Sequence, residues 1–290
     1  MKTKDWLAFA GLSLAWGSSF LWIKIALEEI GPVLLVALRL LVGLAGLAAV
    51  VAVRKPAMPR EGKLLRALVV LGLINVAVPF TLISWGEVYI DSAVASVLNS
   101  TVPLFAAVVA HFSLTDDKLS GRRIVGLLIG FAGVVLLMWR DLSAGVQVNL
   151  LGQGAVLLAA VFYGVAAVYA RKNTSGSPPM VTALVQVAAA DAMIWIAAPI
   201  AEGPLVFPML PLTWIALLWL GLIGSCLAYL LYFYLVHSIG PSRMAMVTYV
   251  FPVVGVTLGV LFLGEALYWQ LIAGAALVIG SVGIVNSRQK

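Results

Sequence analysis

Two stretches of the chain, offset by 149 residues, read as copies of one another. Leu71-Gly72-Leu73-Ile74 matches Leu220-Gly221-Leu222-Ile223, Pro103 matches Pro252, Leu114 matches Leu263, and Asp116 matches Glu265. After one extra residue in the second copy, Ile129-Gly130 and Gly133 match Ile279-Gly280 and Gly283. Nearer the start, at an offset of 147, Trp16-Gly17 matches Tyr163-Gly164, Lys24 matches Arg171 and Pro32 matches Pro179. Each copy carries five long apolar stretches. Because five is odd, a second copy threaded through a lipid bilayer begins on the opposite side and stands upside down. Inverted repeats of this kind place a solute site near the midplane, where the halves meet.

Crossing the hydrocarbon takes about 20 consecutive apolar residues. Ten such stretches fit, at about 6–27, 32–53, 64–85, 90–112, 121–139, 150–171, 180–201, 212–235, 241–263 and 267–286. Only 10% of the 290 residues are charged, against about 25% in a soluble domain. The expected fold is therefore an all-α integral membrane protein of ten transmembrane helices. They form two inverted five-helix repeats, 1–145 and 146–290, joined into one transmembrane domain.

The net charge of +6 follows topology and does not point to nucleic acid. With the amino terminus inside, fifteen of the 18 basic residues fall on the cytoplasmic side: Lys2, Lys4, Arg54, Lys55, Arg60, Lys63, Arg66, Lys118, Arg122, Arg123, Arg171, Lys172, Arg243, Arg288 and Lys290. The outer side has Arg140 and Lys24, and the acids Glu28, Glu29, Glu87, Asp91, Asp141, Glu202 and Glu265. This is the positive-inside pattern, and it places both termini in the cytoplasm. Lys2 and Lys4 before an apolar run resemble a signal peptide. The run is long and ends in Leu27-Glu28-Glu29 without a small-residue cleavage site, so it reads as the first span. Cys226 is the only cysteine, so no intrachain disulfide forms, and it reads as a small buried apolar group.

Three prolines interrupt spans near mid-depth: Pro79, Pro103 and Pro252. Each proline frees the carbonyl four residues earlier, here those of Asn75, Asn99 and Thr248. In lipid a freed carbonyl needs protein or water, which favours a polar cavity and makes these prolines hinge candidates. The alternative is a packing kink healed by neighbouring side chains. The other mid-depth polar groups are Ser18, Ser19, Tyr163, Ser225, Tyr229 and Tyr249. With Asn75 and Asn99 they come from spans 1, 3, 4, 6, 8 and 9, as a site between repeats requires. Trp16 and Tyr163 are repeat equivalents at mid-membrane, each followed by glycine. Trp85 reads equally as a cavity wall or an interface anchor, as does Tyr234; Trp6, Trp139, Trp214 and Trp269 are anchors. The candidate binding set is thus Trp16, Ser19, Asn75, Trp85, Asn99, Tyr163, Ser225, Tyr229, Thr248 and Tyr249. Aromatic faces with a few hydroxyls and amides suit a small amphiphilic organic solute.

Charges inside a bilayer are functional hypotheses by default. Arg39 lies about two turns into span 2 and Asp191 near the middle of span 7. Asp191 has three readings: a ligand for a substrate amine or coupling proton, a structural partner of Arg39, or the lining of a wet crevice. Lys24 pairs with Glu28 one turn on or snorkels, and His111 and His237 sit at the cytoplasmic interface. Gly126, Gly130 and Gly133, Gly255 and Gly259, and Gly274, Gly280 and Gly283 recur at helix-packing spacing. No His/Cys/carboxylate cluster has metal spacing, and no supported Ser-His-Asp set occurs, so the sequence offers neither a metal or cofactor site nor catalysis.

In order along the chain, Trp16-Gly17-Ser18-Ser19-Phe20, Lys24, Pro32, Arg39, Pro252, Leu263-Gly264-Glu265, Gly274 and Gly280 resemble the EamA-type branch of the drug/metabolite transporter superfamily. The resemblance covers essentially the whole chain. It implies a ten-helix inverted-repeat carrier that moves small metabolites, often outward and including amino acids, through a cavity between helices 1, 3, 4, 6, 8 and 9. Two departures stand out. Leu114-Thr115-Asp116-Asp117 replaces the family's Leu-Gly-Glu turn, and the first span offers only Ser13, Ser18 and Ser19 where small multidrug relatives carry a proton-coupling glutamate. Proton-driven export of lipophilic cations is therefore not expected. The expected partners are a small-molecule substrate and the lipid bilayer of a prokaryotic plasma membrane, with no nucleic acid; a monomer is compatible with the sequence. A lipid-linked or nucleotide-like solute remains an alternative, as does a membrane sensor or enzyme.

Overall fold

The computed structural model describes residues 2–59, 61–115, 118–174, 176–240 and 244–286. Arg60, Asp116, Asp117, Arg243, Arg288 and Lys290, which entered the charge and repeat readings, lie outside the described residues, as does the His237 side chain. Among the described residues every regular element is helical. Nine helices are long and apolar enough to cross a membrane: α1 (Thr3–Ala26), α2 (Pro32–Arg54), α3 (Gly62–Tyr89), α4 (Ser92–Ser113), α5 (Gly121–Ala144), α6 (Gln147–Asn173), α7 (Pro179–Glu202), α8 (Pro211–Val236) and α9 (Met246–Leu263). A shorter apolar helix, α10 (Trp269–Val285), completes the ten.

Local sequence sets the helix ends. Proline opens α2, α7 and α8, where its missing N–H leaves no bond unmade. Gly145 and Gly264 close α5 and α9 in the left-handed conformation, at φ of 69° and 67°. The mid-depth prolines sit where the helices change form. In α3 a π-helical turn, Leu73–Ala77, precedes Pro79 and gives its ring the wider backbone it needs. α4 breaks at Ser100 and Thr101, so Pro103 lies in the first turn of the segment that follows. α9 begins as a 3₁₀ turn, Ala245–Tyr249, and Pro252 again lies at the start of the α-helical part. Pro103 and Pro252 are therefore helix starters more than interior kinks. α8 has a π segment, Trp219–Leu227, at the position equivalent to that in α3, and it forms without a proline.

Close packing follows the small residues. α5 packs on α10, α2 on α7, α3 on α6, α1 on α8 and α4 on α9. A Cβ on Gly133 would stand 3.0 Å from the Gly274 carbonyl oxygen, and one on Gly126 would stand 3.2 Å from that of Ser281, so α5 and α10 meet backbone to backbone. Gly255 instead takes the Ser96 side chain against its bare Cα, so α9 and α4 also approach closely. The expectation fails for Gly280 and Gly283, whose missing side chains face open space. They share the period of the packed glycines but lie off the contact face.

Carboxylates at one end of the bundle tie distant helices together. Glu202, at the end of α7, accepts the backbone N–H groups of Val33 and Leu34 at 2.6 and 3.0 Å, capping α2. Glu265, just after α9, accepts those of Ser92 and Ala93 at 2.7 and 2.9 Å, capping α4. Glu29 accepts those of Met209 and Leu210, both beginning at its Oε1 at 2.6 and 3.0 Å, ahead of α8. Helix N-termini favour negative charge and leave N–H groups unpaired, so each carboxylate satisfies donors that helix geometry strands. These contacts also show that α2 and α7 run antiparallel, as do α4 and α9. The Thr213 hydroxyl, with the Met209 and Leu210 N–H groups, holds the Glu29 carboxyl below the usual carboxylate range.

Candidate functional site

Arg39 lies inside the bundle with 4% of its surface exposed. Small residues draw α2 against the π segment of α8 around it. A Cβ on Gly43 would stand 2.9 Å from that of Ser225, and one on Gly221 would stand 2.9 Å from the Arg39 carbonyl oxygen. This approach brings Ser225 within reach: Arg39 Nε donates to Ser225 Oγ at 3.3 Å, and that hydroxyl donates to the Leu220 carbonyl at 3.0 Å. The guanidinium carbon stands 4.1 Å from the centre of the Phe80 ring on α3. Its titratable neighbours are Tyr163 on α6, Tyr229 on α8 and Glu87 on α3. Asp191 is not among them, so of its three readings the one as a structural partner of Arg39 is not realised.

Other expected site residues adjoin this centre. The Ser19 hydroxyl donates to the Ala15 carbonyl at 3.0 Å and faces Gly224, where a Cβ would stand 3.1 Å from it. Trp16 Nε1 donates to the Gly224 carbonyl at 3.2 Å, an acceptor the π segment presents outward. The Trp16 ring packs with Tyr232 and Phe251 at centroid distances of 5.8 and 6.1 Å. Trp219 Nε1 donates to Ser18 Oγ at 3.0 Å and stacks near Trp22. Asn99 ends the first half of α4, buried, with its Oδ1 lacking a hydrogen-bond donor. Thr248 is half-buried in the 3₁₀ turn of α9.

The remaining expected residues point elsewhere. Asn75 Nδ2 donates to Gln186 Oε1 at 3.1 Å, tying the π turn of α3 to α7. Asp191, on α7, lies beside Trp195 with its Oδ1 unpartnered. Tyr249 donates its hydroxyl to the Val282 carbonyl of α10 at 2.7 Å. Trp85 packs edge-on against Tyr89 at 4.9 Å, near the carboxylate-capped end. Equal depth therefore does not bring all the candidates together. Their rotation about each helix divides them between the α2–α8 centre, α7 and α10.

Lys24 neither pairs with Glu28 nor snorkels. Its ammonium donates to the carbonyls of Glu87 and Ile90 at 2.6 and 2.8 Å and so caps the end of α3. Glu87 itself, grouped with surface acids by its place in the sequence, is 0% exposed. The capping roles of Glu29, Glu202 and Glu265 were also not legible from charge alone. The available signal was an acid at or just beyond the end of an apolar span; for Glu265 a glycine, Gly259, also leaves room for the carboxylate. Among the described residues no group of three or more His, Cys, Asp or Glu is arranged to hold a metal.

The EamA-like transporter family matches this chain over residues 4–139 and 150–287, one match to each copy of the duplication. YoaV of Bacillus subtilis (strain 168), an uncharacterized transporter, is 25% identical over 95% of this chain and 94% of its own length. An uncharacterized transporter of Archaeoglobus fulgidus is 26% identical over 97% and 98%. YedA of Escherichia coli (strain K12), an uncharacterized inner membrane transporter, is 30% identical over 90% of this chain and 83% of its own. A solved crystal structure superposes with a TM-score of 0.69 over 98% of both chains at 22% identity, which shows a shared fold. The chain belongs to the EamA-like transporter family and is a multi-pass membrane transporter, not an enzyme.

Proposed function

We propose that this transporter exports small amphiphilic metabolites of the amino-acid type across a prokaryotic plasma membrane by alternating access. The observation that carries the reading is Arg39, a buried cation where α2, α3, α6 and α8 meet, with no carboxylate in ion-pair reach among the described residues. A charge at mid-membrane costs about 2.5–3.5 kcal/mol on insertion scales, and a solute carboxylate supplies its counter-charge. Trp16, Tyr163 and Tyr229 offer aromatic surface for the apolar part of the solute, and Ser19, Ser225 and Asn99 offer polar contacts.

The two halves, 1–145 and 146–290, act as inverted five-helix repeats that rock about this centre. Two observations support this. Equivalent helices α2 and α7, and α4 and α9, pack antiparallel. Exchanging the halves also carries the pairing of α3 with α6 onto that of α8 with α1. The basic end faces the cytoplasm with both termini, and the carboxylate-capped end faces outward. One chain holds the whole site, so the working unit is a monomer.

The test is efflux of labelled amino acids from proteoliposomes, with and without a pH gradient. Lipid-linked and nucleotide-like solutes form the comparison set. Arg39→Gln removes a charge-assisted contact of about 1.5–3 kcal/mol, so KM should rise about ten- to hundredfold for carboxylate solutes. Unchanged transport by well-folded R39Q would overturn the assignment.

A further inference from the structure

Glu87 is a sealed acid. It is 0% exposed, and neither side-chain oxygen has a hydrogen-bond partner. Three charged groups face it: Lys24 from α1, Arg39 from α2, and Glu265 from the turn after α9. On α6, Gly152 and Val156 pack against the neighbouring Gly86 and bring no charge. α4 begins after Asp91 with Ser92, which is also 0% exposed and whose hydroxyl also lacks a partner. Lys24 places two of its three N–H donors on the carbonyls of Glu87 and Ile90, Arg39 donates to Ser225, and neither Glu87 oxygen receives a donor. An ionised carboxylate sealed without donors carries an effective penalty of several kcal/mol. A neutral acid escapes most of it.

We infer that Glu87 is a proton-binding site whose occupancy closes the carboxylate-capped end of the transporter. When that end opens, the carboxyl O–H bond breaks and the proton passes to the water that enters. The new carboxylate draws the Lys24 ammonium to itself, and the carbonyls of Glu87 and Ile90 lose their donor. The end of α3 is thereby uncapped in the same step that hydrates Glu87, which ties proton release to opening. Closing runs the steps in reverse: water delivers a proton, Lys24 returns to the two carbonyls, and the neutral acid is buried. The site rests on the alternating-access reading for its opening step, but not on the identity of the solute.

The test replaces the lone, buried Cys226 by serine and adds a reporter, Ser92→Cys, which is hidden while the end is closed. Labelling by a membrane-impermeant maleimide is followed against pH in right-side-out vesicles and in detergent. The rate, divided at each pH by that of the same thiol in unfolded protein to remove the reporter's own thiolate titration, should rise about tenfold per pH unit through the titration, the slope of one proton. In Glu87→Gln it should be slow and flat. Glu87→Asp keeps the proton site and should retain the slope with a displaced midpoint, which guards against misfolding of the glutamine variant. An infrared difference spectrum between wild type and E87Q at neutral pH should show the C=O stretch of an un-ionised carboxylic acid. A pH slope that persists in folded E87Q, or a missing acid band, would overturn the site. A band and slope that appear in protein that moves no solute would support the site while refuting the proposed solute.

Discussion

Removing Glu265 tests how firmly the two halves are fastened at the acidic end. Its two oxygens accept the N–H groups of Ser92 and Ala93 at 2.7 and 2.9 Å, and those residues are 0% and 1% exposed. In Glu265→Ala both donors lose their partner where water is excluded. Each buried unsatisfied group costs about 1–3 kcal/mol, giving a total on the order of 2–6 kcal/mol. The lost interaction with the helix dipole adds about 0.3–1 kcal/mol. At about 2–4 °C per kcal/mol for a chain of this size class, the midpoint of thermal unfolding in detergent should fall by roughly 5–28 °C. Glu265→Gln keeps one acceptor but brings an amide N–H₂ against the second donor, so its loss should be about half as large. Glu61→Ala is the control: Glu61 stands at the N-cap of α3, is exposed and makes no side-chain cap hydrogen bond. It changes charge equally and should leave the midpoint nearly unmoved. Equal midpoints for E265A and E61A would refute the argument that buried capping, not net charge, joins α9 to α4.

Glycine substitutions should separate contact from periodicity. Gly133→Ala places a Cβ 2.8 Å from that of Leu277 and should cost about 1–3 kcal/mol in detergent melts. Gly280→Ala meets nothing within 4 Å and should be neutral or stabilising by up to about 1 kcal/mol. Glu29→Gln should change how stability depends on pH. The Glu29 carboxyl titrates lower when folded, so its contribution is present above the unfolded value of 4.5 and fades as pH falls through the folded value. Melts of wild type and E29Q should therefore differ at neutral pH and converge in acid, and a constant gap would count against the cap.

The sequence alone determined the number and limits of the apolar helices, their duplication, and which end of the bundle is acidic. Those properties are local or one-dimensional: length, hydropathy, charge and period act through each segment's own encounter with lipid and water. Depth was also legible, because rise per residue converts position into height. Rotation and partnership were not. Asn75 and Ser225 lie at comparable depths, yet one hydrogen-bonds to Gln186 on α7 and the other accepts from Arg39 on α2. Glu87 and Glu265 both follow from sequence as acids near one end, yet one is sealed without a donor and the other caps a helix 173 residues away in sequence. Only the tertiary structure decided these, because the partners come from helices far apart in the chain. Their facing sides are set by how small residues let backbones meet, and no local segment records that.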